Sequence, residues 1–231
     1  MKALSETDKE YICEIQAPCF QDLSYEEAAL IRAGKTQILF HRGENLTKQG
    51  FFASSVLFLI SGYAKLYIEG NNDRNLNLSI LVPGDFAGIS AIFGLNKFPY
   101  SITALCDTQV LLIESNILEK VLRKNPAFGY QISSRNCSFD SHLRDSLYSL
   151  AFLQMNGRVA SVLLYLDGIV SEGHNVFPLL SRKDIAEFAG LSTESTVKIL
   201  KSFEKDGLIK LHDKNIEVLD PEKLKNISRL G

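Results

Sequence analysis

Residues 181–219, SRKDIAEFAGLSTESTVKILKSFEKDGLIKLHDKNIEVL, constrain the fold more tightly than any other part of this chain. Ser181, three positions before Asp184, is a capping-box helix start, and Ile185, Phe188 and Ala189 give that helix one apolar face. Gly190 falls where a tight turn needs a residue free to take positive φ. Ser192 caps a second helix whose stripe, Thr196, Val197, Leu200 and Phe203, follows helical spacing. Gly207 ends it. Apolar-alternating runs at 208–211 and 216–219 flank the polar turn His212-Asp213-Lys214-Asn215, which predicts a small hairpin. Helix, turn, helix and hairpin in this order make a winged helix-turn-helix. The other face of the second helix shows Thr193, Glu194, Ser195, Lys198 and Lys201. Hydroxyls and lysines there suit phosphates, and the carboxylate can accept from cytosine N4 in a major groove. A structural three-helix module with a solvated charged face fits the same pattern.

Upstream the periodicity changes. Residues 7–34 read as helical, with LSYEEAALIRAG forming an amphipathic helix from Ser24 to Gly34. Between Lys35 and Glu114, short β-rich runs recur: TQILF, VLFLI, AKLYIEG, LNLSILV, YSITALC and TQVLLIE. Turn signals separate them at Gly43, Gly50, Gly62, Asn71-Asn72 and Pro83-Gly84. Strands at such spacing predict a sandwich or jelly roll. Over residues 125–150, Ile132, Asn136, Phe139, Leu143, Ser146 and Leu150 recur at alternating spacings of four and three. That seam fits a coiled-coil dimer helix, or a face packed on the chain's own roll. The 231 residues are 45% hydrophobic, enough for a sizeable core, and no apolar run is long enough to span a membrane. The first residues, MKALSETDKEYICE, lack the apolar stretch of a secretion signal, so a cytoplasmic location is expected. Split at Gln154, the chain carries 14 basic and 16 acidic residues, then 11 and 11. A neutral second part is a weak electrostatic footprint for nucleic acid. Its lysines and arginine nevertheless gather at Arg182, Lys183, Lys198, Lys201, Lys205, Lys210 and Lys214, which predicts modest, salt-dependent affinity.

Three separated motifs carry a family resemblance. GLSTESTVKILKSFEKDGLI resembles the recognition-helix region of the cAMP receptor protein/FNR (Crp/Fnr) family of bacterial transcription regulators. LAFLQMNGRVASVLLYL, residues 150–166, resembles that family's hinge and first DNA-domain helix. VPGDFAGISAIFG, residues 82–94, is similar to its GDFIGE-type effector segment, and the match spans about 210 residues in the family's order. The resemblance implies an α+β chain in three parts. Residues 1–125 would form an N-terminal arm and an effector-type β-roll (a jelly roll of the cyclic-nucleotide-binding kind), 126–153 a dimerisation helix and hinge, and 154–231 the winged helix-turn-helix domain. It also implies a homodimer on a pseudo-palindromic double-stranded operator, with half-sites about 34 Å apart, the spacing general to helix-turn-helix dimers. RNA polymerase is a further implied partner.

Carried over by position, Glu194 and Lys198 fall where the family reads bases. Thr193 stands where many members place a base-reading arginine, which removes a bidentate guanine contact. Ser181, Arg182, Ser192, Ser195 and His212 fall at phosphate-contacting positions. The effector pocket maps to Gly88, Ile89, Ser90, Tyr100, Ser101 and Leu143. Here the chain departs from the cAMP-binding pattern. Ile89 replaces the ribose-binding glutamate, Tyr100-Ser101 replaces the arginine-serine pair, and Leu143 replaces a threonine set against adenine. A cyclic phosphate without its arginine lacks the charge-assisted pairing that offsets desolvation, so cAMP is not the expected effector. Another small molecule, or none, would take its place.

Two other readings use residues outside these sets. Cys13 and Cys19 match the spacing of two cluster ligands in an FNR-type iron–sulphur sensor, which needs four thiolates. Glu10 and Leu111-Leu112 occupy the places of other ligands, Cys106 lies several residues early, and Cys137 falls in the dimer helix. His41 and His142 are candidate haem ligands without a supporting pattern. A cupin-like metalloenzyme, the non-regulator alternative, needs clustered histidines, whereas His41, His142, His174 and His212 are dispersed. No catalytic set and no cofactor follow from the sequence.

Overall fold

The computed structural model describes residues 1–12, 18–71, 74–171, 173 and 175–230. Contacts divide the chain into two compact units: Met1–Ile68 with Ser79–Asp140, and Glu69–Leu78 with Ser141–Gly231.

The strands run β1 Lys2–Leu4, β2 Lys35–Phe40, β3 Asn45–Thr47, β4 Ser55–Ser61, β5 Ala64–Glu69, β6 Asn75–Leu81, β7 Phe86–Ala87, β8 Ser101–Ala104 and β9 Thr108–Glu114. They form a five-stranded sheet in the order β1-β2-β9-β4-β7 and a four-stranded sheet in the order β3-β8-β5-β6. Every run expected to be a strand is one. The added strands β1, β3 and β7 are only two or three residues long, too short for alternation to register. In β4, Val56, Phe58 and partly buried Ile60 join a cluster with Ile31, Leu111, Ile113, Leu118, Val121, Phe128 and Ile132. Leu57 and Leu59 on the opposite face are also buried. Both faces of β4 are therefore covered, which is why its sequence is continuously apolar rather than alternating.

Helices α1 Pro18–Gln21, α2 Tyr25–Ala33, α3 Ser115–Lys124 and the long α4 Pro126–Phe152 complete the first half of the chain. The expected capping box of α2 is present: Ser24 Oγ accepts from Glu27 N while Glu27 accepts from Ser24 N. Over residues 7–12 the helical reading fails, and residues 13–17 lie outside the described residues. Residues 2–4 pair with β2. Asp8 then takes hydrogen bonds from Lys2 Nζ at 2.7 Å, Ser5 N at 2.8 Å and Ser5 Oγ at 2.9 Å. Local side-chain bonds of this kind favour a turn over a helix, and the Lys2 ammonium followed by the Ser5 N–H lowers the Asp8 carboxyl to about 2. At α4, Pro126 fits the first helical position, and Asn125 Oδ1 caps it by accepting from Phe128 N at 2.9 Å.

The expected seam of α4 is divided. Ile132 is buried in the cluster around Phe58, Phe139, Leu143, Ser146 and Leu150 are half-buried, and Asn136 is exposed. Tyr130, Leu147, Tyr148 and Phe152 form the open apolar positions instead. The polypeptide leaves helix at Leu153-Gln154.

In the second unit, α5 Met155–Ser171 packs on α6 Arg182–Ala189, α7 Thr193–Lys205 and α8 Pro221–Leu230. Val159, Ala160, Leu163, Leu166, Ile185, Leu200 and Leu224 fill the space between them. Strands β10 Ile209–His212 and β11 Asn215–Val218 pair antiparallel, each shifted one residue from the expected runs. Gly190 takes φ +62°, and a Cβ there would lie 2.7 Å from Leu150 Cδ2. Gly190→Ala therefore meets both the left-handed penalty and a close contact, and should lower stability by about 1–2 kcal/mol. A urea midpoint unchanged from that of the parent chain would contradict this.

Candidate nucleic-acid interface

The helix-turn-helix is assembled as its sequence requires. Ser181 Oγ accepts from Asp184 N at 3.1 Å and Asp184 Oδ2 accepts from Ser181 N at 2.8 Å, so the first capping box closes in both directions. Ser192 Oγ accepts from Ser195 N at 3.1 Å and caps α7. The buried stripe of α7 is Thr196, Ile199, Leu200 and Phe203. Val197, expected in that stripe, is half-buried, because positions spaced three and four apart from Thr196 lie on one side and its immediate neighbour does not. Thr196 Oγ1 satisfies itself on Ser192 O at 3.0 Å.

Opposite this stripe, Glu194, Lys198, Lys201 and Ser202 are exposed, and Thr193 and Ser195 are half-buried at the helix start. Glu194 and Lys198 stand one turn apart on one face, and neither carries an ion pair among the described residues. Ser192 Oγ also donates to Ser195 Oγ at 3.1 Å, which ties two of the expected phosphate ligands into the cap. Lys205, Lys210 and Lys214 are exposed nearby in sequence. Lys183 instead faces Glu187 at 3.7 Å, and Glu187 is largely buried, a position that sequence periodicity did not mark. Arg182 is half-buried and donates from Nη2 to Asp213 O at 3.0 Å. His212 is exposed, with Nε2 3.3 Å from Glu217 Oε2. Of the expected contact residues, Ser181, Ser192, Glu194, Lys198 and His212 are thus open to solvent, whereas Arg182 is held within the fold.

The expected effector residues of the first unit lie together but are already engaged. Gly88, at φ +78°, opens a short 3-10 helix over Ile89–Phe93, and its N–H donates to Tyr100 Oη at 2.8 Å. A Cβ on Gly88 would meet Phe98 Cε1 at 2.6 Å. Burial pushes the Tyr100 phenol up, partly opposed by this hydrogen bond, so the ring stays neutral near pH 7. Ser101 is fully buried, and its Oγ accepts from Gln49 N at 2.9 Å. Ile89 and Ile92 pack against the apolar cluster of Phe58 and Phe128. Ser90 is half-buried. Leu143 belongs to the other unit, where it is half-buried.

Among the cysteines, Cys13 and the side chain of Cys19 lie outside the described residues, as does His174. Cys106 is half-buried and Cys137 exposed, both as free thiols. Among the described residues no group of three or more His, Cys, Asp and Glu is placed to hold a metal ion. His41 Nδ1 lies 3.2 Å from Asp107 Oδ1. His142 Nε2 lies 2.9 Å from Leu78 O, and its ring stacks on Tyr165 at 3.8 Å. Among the described residues no helix is long and apolar enough to cross a membrane.

A model of the Crp-like helix-turn-helix domain matches residues 157–227, and one of the cyclic nucleotide-binding domain matches residues 37–125. The chain is 24% identical over 222 residues to a CRP-like cAMP-activated global transcriptional regulator of Mycobacterium tuberculosis, covering 93% of this chain and 97% of that one. It is 26% identical over 178 residues to the cAMP-activated global transcriptional regulator CRP of Salmonella typhimurium, covering 75% and 84%. The FixK2 structure from Bradyrhizobium japonicum has the same fold, with a TM-score of 0.72 at 21% identity over 84% of this chain and 96% of that chain. A roll of the cyclic-nucleotide-binding type, a long helix and a winged helix-turn-helix define a class of DNA-binding transcription regulators. The chain belongs to that class as a member of the Crp/Fnr family.

Proposed function

We propose that this regulator acts as a cytoplasmic homodimer, reads a pseudo-palindromic operator through Glu194 and Lys198, and does not use cAMP as its effector. One observation carries the reading. Glu194 and Lys198 project from one exposed face of a helix whose opposite face, Thr196, Ile199, Leu200 and Phe203, is buried. Such a helix can enter a major groove without disturbing its own support. Ser181, Ser192, Ser195, His212 and Thr193 flank that face as backbone-positioning groups. Pairing through α4 is supported by the open apolar residues Tyr130, Leu147, Tyr148 and Phe152, since a soluble helix rarely leaves so many large side chains uncovered. Transcriptional control would then pass through RNA polymerase. A change in the roll would reach the recognition helices through α4 and the Leu153-Gln154 break.

Exclusion of cAMP is supported by the groups that fill the effector position. Tyr100 Oη occupies the Gly88 N–H, Ser101 Oγ occupies the Gln49 N–H, and Ile89 turns into the apolar cluster. Ile89 and Tyr100 stand at the positions of the ribose carboxylate and the phosphate cation of the cAMP-binding pattern. Millimolar cAMP should therefore leave the melting temperature where it is, because a ligand stabilises only the state it binds. A clear upward shift would overturn this part of the reading. The DNA part is tested by selecting duplexes from a randomised pool with the purified chain. A recovered sequence with two-fold symmetry is expected, and recovery of none at low salt would refute it.

A further inference from the structure

Arg182 opens α6 at a position where the family resemblance expects a phosphate ligand, yet its guanidinium is turned inward. Nη2 donates to the backbone carbonyl of Asp213, 3.0 Å away and 31 positions along the chain. Nη1 is shut off from solvent. Burial lowers the pKa of the group, opposed by the nearby charges of Asp213 and Glu204, and a guanidinium stays protonated across this range. A group placed so is poorly presented to an incoming phosphate.

The residue it holds is unusual. Asp213 has φ +43° and is the one non-glycine residue with positive φ among the described residues. It forms, with Lys214, the two-residue connection between β10 and β11, where His212 pairs with Asn215. A left-handed aspartate carries a steric penalty and persists only where its surroundings over-determine it. The Arg182 bond supplies one such restraint on the carbonyl. A second tie lies just before the turn, where Glu204 Oε1 of α7 accepts from Leu211 N at 2.9 Å. The wing is thus pinned to the start of one helix and the end of the other.

We propose that Arg182 is a positioning residue for the wing: by holding the Asp213 carbonyl it sets where Lys214 and His212 meet the DNA backbone relative to Glu194 and Lys198. The proposal rests on the DNA-binding reading above for its use, but the clamp itself can be tested without DNA. In the free full-length chain, Arg182→Gln should speed amide exchange over residues 211–216 about tenfold and leave the exchange of α5 unchanged. Unchanged exchange in the wing would overturn the clamp.

A double-mutant cycle then decides how the clamp acts, using duplexes that the wild-type chain selects from the randomised pool. Arg182→Gln should weaken binding about threefold to tenfold. Lys214→Gln added to it should cost less than it does alone, because the displaced wing has already lost its contact. If the two losses simply add, or Lys214→Gln has no effect while Arg182→Gln weakens binding, Arg182 touches DNA by itself and the proposal fails. A direct phosphate contact at Arg182 would also lower the salt slope by about 0.9 independently of residue 214. A wild-type chain that selects no duplex would remove the DNA-binding reading, while the exchange measurement still decides whether the clamp exists.

Discussion

Phe58→Ala should destabilise the first unit by about 3–5 kcal/mol, the range for removing a fully buried aromatic side chain. Phe58 is 1% exposed, on the face of β4 that meets the helices. Its ring lies edge-on to Phe20 at 4.8 Å and tilted against Phe86 at 4.7 Å. Truncation therefore removes transfer energy and aromatic contacts together, and leaves a void that β4, hydrogen-bonded on both sides by β9 and β7, cannot close by moving. Phe58→Leu keeps most of the volume and should cost clearly less. Chemical denaturation followed by circular dichroism measures both. A loss below about 1 kcal/mol for the alanine variant would mean that this cluster is not the core of the unit.

Glu194→Ala should relax the preference at one operator base pair by about 1–3 kcal/mol, roughly 5- to 150-fold in relative affinity. A carboxylate accepts from the cytosine N4 amino group but offers nothing to the oxygen of thymine or guanine in the same groove. Its loss therefore flattens a choice rather than weakening attachment. Removing an anion near phosphates leaves the nonspecific, salt-sensitive component intact or slightly stronger. Glu194 is exposed on the first turn of α7 and is not part of the Ser192 cap, which is made to Ser195 N. Helix stability is thus little affected, and the readout is binding to duplexes that differ at single positions. A uniform loss over all of them would show that Glu194 supports the fold rather than reading a base.

The winged helix-turn-helix was legible in the chain because its information is local. Ser181 with Asp184, Gly190, Ser192 and Gly207 act within one or two turns of themselves, and each does what its spacing requires. The long strands were legible for the same reason, since residues 36–40, 56–60 and 108–114 carry their own apolar pattern. Residues 2–12 show the converse, and with them the helix wrongly expected to start at Thr7. Residues 2–4 are a strand only because β2 is there to pair with, and Asp8 ends the run through bonds to Lys2 and Ser5.

At the interface, spacing alone determined which face of α7 is polar, and the family resemblance then singled out Glu194 and Lys198 on it. Only the tertiary structure decided the use of Arg182, Glu204 and Tyr100. Their partners, Asp213 O, Leu211 N and Gly88 N, are backbone atoms, which leave no mark in side-chain pattern. The same holds for Ile132, which the seam left between a dimer contact and the chain's own roll and which the fold buries beside Phe58 and Phe128. Periodicity reports that a helix face is apolar. What covers that face depends on chain segments far away in sequence, and that is settled by packing in three dimensions.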